Sequence, residues 1–103
     1  EFNKRGGRGC ISVTANVAAK LCSEFQSASL KKSDEKLQLK AEKIDKQLSE
    51  LHKALFIESN PSPVKYAASL LKLSSEDVRL PLVKVKEETK KEVEKALKVA
   101  KLL

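Results

Sequence analysis

No tryptophan and no methionine occur in this sequence, and its rings are limited to Phe2, Phe25, Phe56 and Tyr66. Without more aromatics there is no stacking platform for nucleic-acid bases. Arginine is almost as scarce, at Arg5, Arg8 and Arg79 only, so the net charge of +7 is nearly all lysine. Those lysines are interleaved with acids, as in Lys40-Ala41-Glu42-Lys43, which reads as a solvated surface rather than a phosphate-binding patch. Neither a nucleic-acid partner nor a membrane partner is expected, because no apolar run reaches spanning length. With no signal-peptide pattern at its start, the chain is expected to be cytoplasmic. Two cysteines, Cys10 and Cys22, lack CxxC spacing, and His52 is the only histidine. That excludes a zinc site and a histidine-based catalytic pair, and no metal or cofactor is expected. Both thiols are expected to be buried and reduced. The missing initiator methionine predicts that residue 1 is not a natural start.

What is present is organised around Gly6 to Val17, GGRGCISVTANV. All three glycines of the chain, Gly6, Gly7 and Gly9, fall here. Such a cluster marks a crowded turn, because glycine tolerates angles and approaches that a Cβ forbids. Cys10 to Val13 follows as a short β-prone run. Ile11 and Val13 lie on one face and Cys10, Ser12 and Thr14 on the other, none of them charged. This predicts a strand buried on both sides. Asn16 is a candidate N-cap for the helix after it. No other convincing strand exists in the sequence to pair with this one.

The remainder reads as helices. Val17, Ala18, Leu21, Cys22, Phe25 and Ala28 make one apolar stripe over about 17–30. Ser33 is the expected cap of a second helix, whose Leu37, Ala41, Ile44, Leu48, Leu51 and Leu55 step by four and three as an a/d seam. Packing within a bundle is the preferred reading of that seam. The alternative is a stand-alone helical interaction module that pairs two chains through Leu37–Leu55. The turn 58–63, ESNPSP, leads to a third helix over about 63–73, with Ser62 capping and Pro63 in the first helical position. Val64, Ala67, Ala68 and Leu71 point inward. Residues 74–86 are an extended connector expected to lay Leu80, Leu82, Val83 and Val85 on apolar surface. A last helix, about 87–102, turns Val93, Ala96, Leu97 and Ala100 inward. Lys86 is a poor cap for it, partly offset by Glu87 and Glu88 at the positive end of the dipole.

Three blocks, GGRGCISVTANVA, LHKALFIESNPSPVKYA and VRLPLVKVKEET, occur in order and end in Leu-Leu. Together they resemble the C-terminal part of the dihydrodipicolinate synthase (4-hydroxy-tetrahydrodipicolinate synthase) family. The resemblance implies a lyase that condenses pyruvate with aspartate semialdehyde through a Schiff base on a barrel lysine, in lysine and diaminopimelate biosynthesis. It also implies a mainly α fold for this chain, with residues 1–30 as the last β/α unit of a (β/α)8 TIM barrel and 31–103 as the family's C-terminal helical domain. Homo-oligomers, as tetramers of tight dimers, belong to the same implication. Within the chain the one family position concerned with substrate is Ile11, whose backbone carbonyl faces the pyruvate region, as befits the end of a barrel strand.

The Schiff-base lysine, the proton-relay residues and the arginine that receives the semialdehyde carboxylate belong to motifs that this chain lacks. No catalytic residue is assigned, and the isolated chain is expected to be inactive. A lone barrel strand leaves its backbone groups unpaired, so residues 1–16 are expected to be poorly held. Several lysines depart from the family pattern. Lys84 replaces a usual proline, Lys72 and Lys101 replace helix-ending glycines, and Lys86 stands where a Ser or Thr would cap. Arg5 stands near the implied dimer–dimer contact in place of an apolar residue, which leaves the tetramer in question.

Overall fold

The computed structural model describes residues 1–103, and every regular element in it is helical. The a/d seam builds its centre. α1 spans Ala19–Leu30 and α2 Glu35–Ala54, and they pack side by side. α3 spans Ser62–Leu70 and α4 Glu87–Val99. α4 lies against both α2 and α3. Ala41, Ile44, Leu48, Leu51 and Leu55 are all buried, the last two completely. Ile44, Leu48, Leu51 and Leu55 meet Val93, Ala96, Leu97 and Ala100 of the last helical segment, with Val64, Ala67, Val17 and Ala18 closing the core. From Ile44 to Leu55 the seam is therefore filled by the chain's own helices, while Leu37 at its start is half-buried. This overturns the alternative of a module pairing two chains through Leu37–Leu55, since an occupied apolar stripe offers nothing to a partner.

The strand expected at Cys10–Val13 does not form. A ladder needs a neighbour to receive its N–H and C=O groups, and nothing else in the chain is extended alongside it. The residues around it form two 3-10 turns instead, Asn3–Arg5 and Thr14–Asn16. Asn16 consequently caps no helix: its side-chain amide donates to the Val13 carbonyl at 3.0 Å, and α1 starts three residues later. α2 is capped by Asp34 rather than Ser33, the carboxylate accepting from the Leu37 N–H at 3.1 Å.

Ser62 likewise does not cap. It is the first residue of α3, and its hydroxyl donates to the Val83 carbonyl at 2.9 Å, which ties the connector down. Pro63 is thus the second helical residue, where its missing N–H is still harmless. The connector covers less than expected. Val85 is buried, but Leu80 is 86% and Val83 64% exposed. An extended chain points alternate residues to opposite sides, so one run cannot bury them all.

The two lysines at glycine-like positions adopt the conformation that glycine favours. Lys72 and Lys101 both have φ of 59°. In each case the next residue closes a six-to-one bond over the helix end, Leu73 N–H to Ala68 C=O and Leu102 N–H to Leu97 C=O, both 2.9 Å. These are Schellman ends built on a residue with a Cβ. Lys86 provides no cap to α4, as expected. Its place is taken by Glu58 from the preceding turn, whose carboxylate accepts from the Lys86 N–H at 2.9 Å. The Thr89 hydroxyl and then that N–H hold the Glu58 carboxyl below the usual glutamate range.

Candidate functional site

The glycine turn and the run after it lie along α1 and reach across to α2. Gly6, at φ 99°, ends the first 3-10 turn, its N–H bonded to the Asn3 carbonyl. At Gly7 a Cβ would strike the Phe2 ring, so this position accepts no other residue without movement. Gly9 is different: a Cβ there meets only the Gln26 side chain, at an ordinary 3.8 Å. Two of the three glycines are therefore demanded by the local turn.

Three side-chain links hold this segment. Asn3, buried at 8% exposure, donates to Gln26 Oε1 at 3.0 Å and to Ser29 Oγ at 2.6 Å. Gln26 in turn donates from Nε2 to the Arg8 carbonyl at 2.8 Å. Farther on, the buried Thr14 hydroxyl and His52 Nδ1 share a hydrogen bond of 2.7 Å, joining the second 3-10 turn to α2. Residues 1–16 are thus attached at Asn3, Arg8 and Thr14, where the sequence had suggested little to hold them. Gln26 and His52 are the links that sequence reasoning missed. Both sit on helix faces whose neighbours become known only when the helices pack.

Ile11, the position implied to present its carbonyl to pyruvate, lies between these anchors. Its side chain is fully exposed, and its backbone carbonyl receives no hydrogen bond within the chain. The expectation of two buried thiols fails. Cys10 is exposed and Cys22 half-buried, because the second layer that would cover Cys10 is not supplied by these residues. Both line a cavity of about 260 Å³ with Ser12, Phe25, Asp45 and His52. Burial pushes the Cys22 thiol above its ordinary value, opposed by a hydrogen bond with Ser12 and reinforced by Cys10. A thiol kept protonated is a poor nucleophile. Thr14 is buried against the only histidine, so that pair holds structure together. No three His, Cys, Asp or Glu side chains converge at metal-binding distance.

A second polar cluster fastens the connector. Lys84 Nζ lies 3.4 Å from Asp77 and 3.7 Å from Glu76, so the lysine in the proline position has acquired ion-pair partners. Lys90 Nζ lies 3.2 Å from Glu87 and 5.5 Å from the centre of the Tyr66 ring. Its hydrogen bond to Glu87 raises the Lys90 ammonium above its usual value, while burial first and the Glu94 charge second raise the Tyr66 phenol. With Asp77 and Glu87 open to solvent, these pairs position the connector and contribute little stability individually.

Comparison with known proteins covers the chain from end to end. The family model described as the dihydrodipicolinate synthetase family matches residues 1–100. The chain is 59% identical over 103 residues to the 4-hydroxy-tetrahydrodipicolinate synthase of Pelagibacter ubique, matching 100% of the chain and 35% of that protein. To the synthase of the same name from Parvibaculum lavamentivorans it is 50% identical, over 99% of the chain and 34% of that protein. Among solved structures, dihydrodipicolinate synthase from Aquifex aeolicus superimposes with a TM-score of 0.86 at 35% identity, over 98% of this chain and 33% of that one. The chloride-inhibited dihydrodipicolinate synthase of Acinetobacter baumannii, complexed with pyruvate, gives 0.87 at 35% identity, over 99% and 34%. The chain spans about a third of the length of the relatives that it matches.

Proposed function

The chain belongs to the dihydrodipicolinate synthetase family, and from that premise we propose that it is the C-terminal portion of a 4-hydroxy-tetrahydrodipicolinate synthase. In the complete enzyme it serves the condensation of pyruvate with aspartate semialdehyde, a lyase step of lysine and diaminopimelate biosynthesis in the cytoplasm. The observation that carries this reading is the match over residues 1–100. In this reading residues 9–14 become the last strand of a (β/α)8 barrel once the other strands flank them, and residues 17–30 its last helix. Residues 31–103 form the helical domain behind it. Ile11 contributes its backbone carbonyl at the pyruvate site, where barrel enzymes place substrate contacts. That carbonyl has no partner in the isolated chain, which leaves it available for such a role. The Schiff-base lysine and the proton-relay groups come from the remaining two thirds.

The test is a fusion. The segment of the Pelagibacter ubique synthase that precedes its matched stretch is joined to this chain and incubated with pyruvate and borohydride. Formation of a reduced pyruvate adduct on a lysine of the supplied segment is expected, together with synthase turnover. The isolated chain, treated in the same way, is expected to keep its unmodified mass. A folded fusion that captures no pyruvate, or an adduct on a lysine of the present chain, overturns the reading.

A further inference from the structure

We propose that His52 is a positioning residue for the pyruvate contact, setting the direction of the Ile11 carbonyl through its hydrogen bond with Thr14. The inference rests on the reading of the chain as the C-terminal portion of a synthase, and it gives the helical domain a task in substrate binding.

The Ile11 carbonyl borders a turn that is closed on itself. The Ala15 N–H donates to Ser12 Oγ at 3.2 Å. The Asn16 N–H donates to the Val13 carbonyl at 3.1 Å, and the Val17 and Ala18 N–H groups share the Thr14 carbonyl at 3.1 and 2.9 Å. Residues 12–18 therefore move as one piece. The Ile11 carbonyl lies in the same planar peptide as the Ser12 nitrogen, so a shift of the turn carries that carbonyl with it.

One polar link fixes the turn against the helical domain. Thr14 is 2% exposed, and its hydroxyl lies 2.7 Å from His52 Nδ1. No other hydrogen bond joins residues 1–18 to residues 31–103. Val17 and Ala18 also pack into the core, but apolar contact is non-directional and sets depth rather than orientation. A hydrogen bond weakens steeply away from its axis and so supplies the orientation. His52 is a firm anchor, because it rides on the stretch of α2 whose Leu48, Leu51 and Leu55 are locked in the core. It also lines one cavity with Ser12, the residue next to the carbonyl in question. A misplacement of about 1 Å can cost on the order of a hundredfold in an enzyme site, so an anchor three residues from the contact is close enough to matter.

The test uses this chain fused to the segment of the Pelagibacter ubique synthase that precedes the matched stretch. Thr14→Val and His52→Ala are each expected to raise the KM for pyruvate roughly tenfold, and together to do no more than either alone. The KM for aspartate semialdehyde should stay near the parent value. His52→Asn keeps an amide at the place of Nδ1 and should restore the parent KM, as should Thr14→Ser, whereas His52→Gln puts its amide near Nε2 and should not. General loosening of the fold would not separate Asn from Gln, and this comparison holds even where His52→Ala does not fold.

A second measurement uses the 103-residue chain alone. Ile11-Ser12 is its only Ile-Ser pair, so labelling isoleucine carbonyls and serine nitrogens reports that single peptide by NMR. The signal is expected to move in His52→Ala and Thr14→Val and to stay in place in His52→Asn and Thr14→Ser. An unmoved signal in both of the first two variants overturns the proposal. So does a parent pyruvate KM in either folded single variant, or equal behaviour of His52→Asn and His52→Gln. A folded parent fusion that captures no pyruvate refutes the underlying reading instead, and an NMR signal that still moves tells that outcome apart.

Discussion

Replacing Lys101 or Lys72 by glycine should stabilise the chain, although each change removes a side chain from a helix end. Both residues are at φ 59°, a region that crowds a Cβ against the following carbonyl. That crowding costs about 1–2 kcal/mol per residue. Glycine removes it but gives the unfolded chain more freedom, which returns roughly 0.5–1 kcal/mol. The difference is a net gain of about 0.5–1 kcal/mol per site. No competing loss is evident, since neither lysine is in an ion pair and both are exposed. The bonds that close the helix ends are main-chain, including Lys72 N–H to Ser69 C=O and Lys101 N–H to Lys98 C=O at 3.0 Å each, so glycine keeps them. In a domain of this size the gain corresponds to a rise in Tm of roughly 3–6 °C. Urea and thermal unfolding followed by circular dichroism measure it. Lys101→Ala keeps the Cβ and should change little. Lys98→Gly, inside α4, should lose about 1 kcal/mol. If Lys101→Gly and Lys72→Gly both unfold at the parent midpoint or below it, the strain assigned to these positions is absent.

Two further predictions concern the links between segments. Glu58→Gln should lower stability at neutral pH by about 0.5–1 kcal/mol, the modest figure reflecting a capping carboxylate that faces solvent. Because the Thr89 hydroxyl and the Lys86 N–H hold its folded pKa below 4.5, the parent carries this contribution above the ordinary value and loses it as pH falls through the depressed one. Acid titrations of unfolding should therefore begin to converge for parent and variant below pH 4.5 and meet only once pH has passed below the depressed value; a difference that does not shrink as pH falls through this range contradicts the cap. Thr14→Val keeps the buried shape but removes the hydroxyl bonded to His52, at a cost of about 0.5–1.5 kcal/mol. In a double-mutant cycle most of that cost should vanish in a His52→Ala background, and an unchanged cost would mean that the bond does not stabilise the fold.

The helices were legible because their signals are local. The step of four and three from Leu37 to Leu55 placed the core stripe of α2, and Val93, Ala96, Leu97 and Ala100 are buried as their spacing requires. The family resemblance carried in three short blocks agrees with the match over residues 1–100. The left-handed helix ends at Lys72 and Lys101 were signalled by the family resemblance, which places helix-ending glycines there, and not by the lysines themselves.

Tertiary structure decided everything that needs a partner distant in sequence. Glu58 caps a helix 28 residues away, Ser62 holds Val83 rather than its own helix, and His52 receives Thr14 across 38 positions. The run from Cys10 to Val13 shows the division most plainly. Its composition favours a strand, yet it remains unpaired, because a strand exists only when other backbone lies beside it. Side-chain pattern can state a preference for extended conformation. Only neighbouring chain can complete the hydrogen bonds that turn the preference into structure.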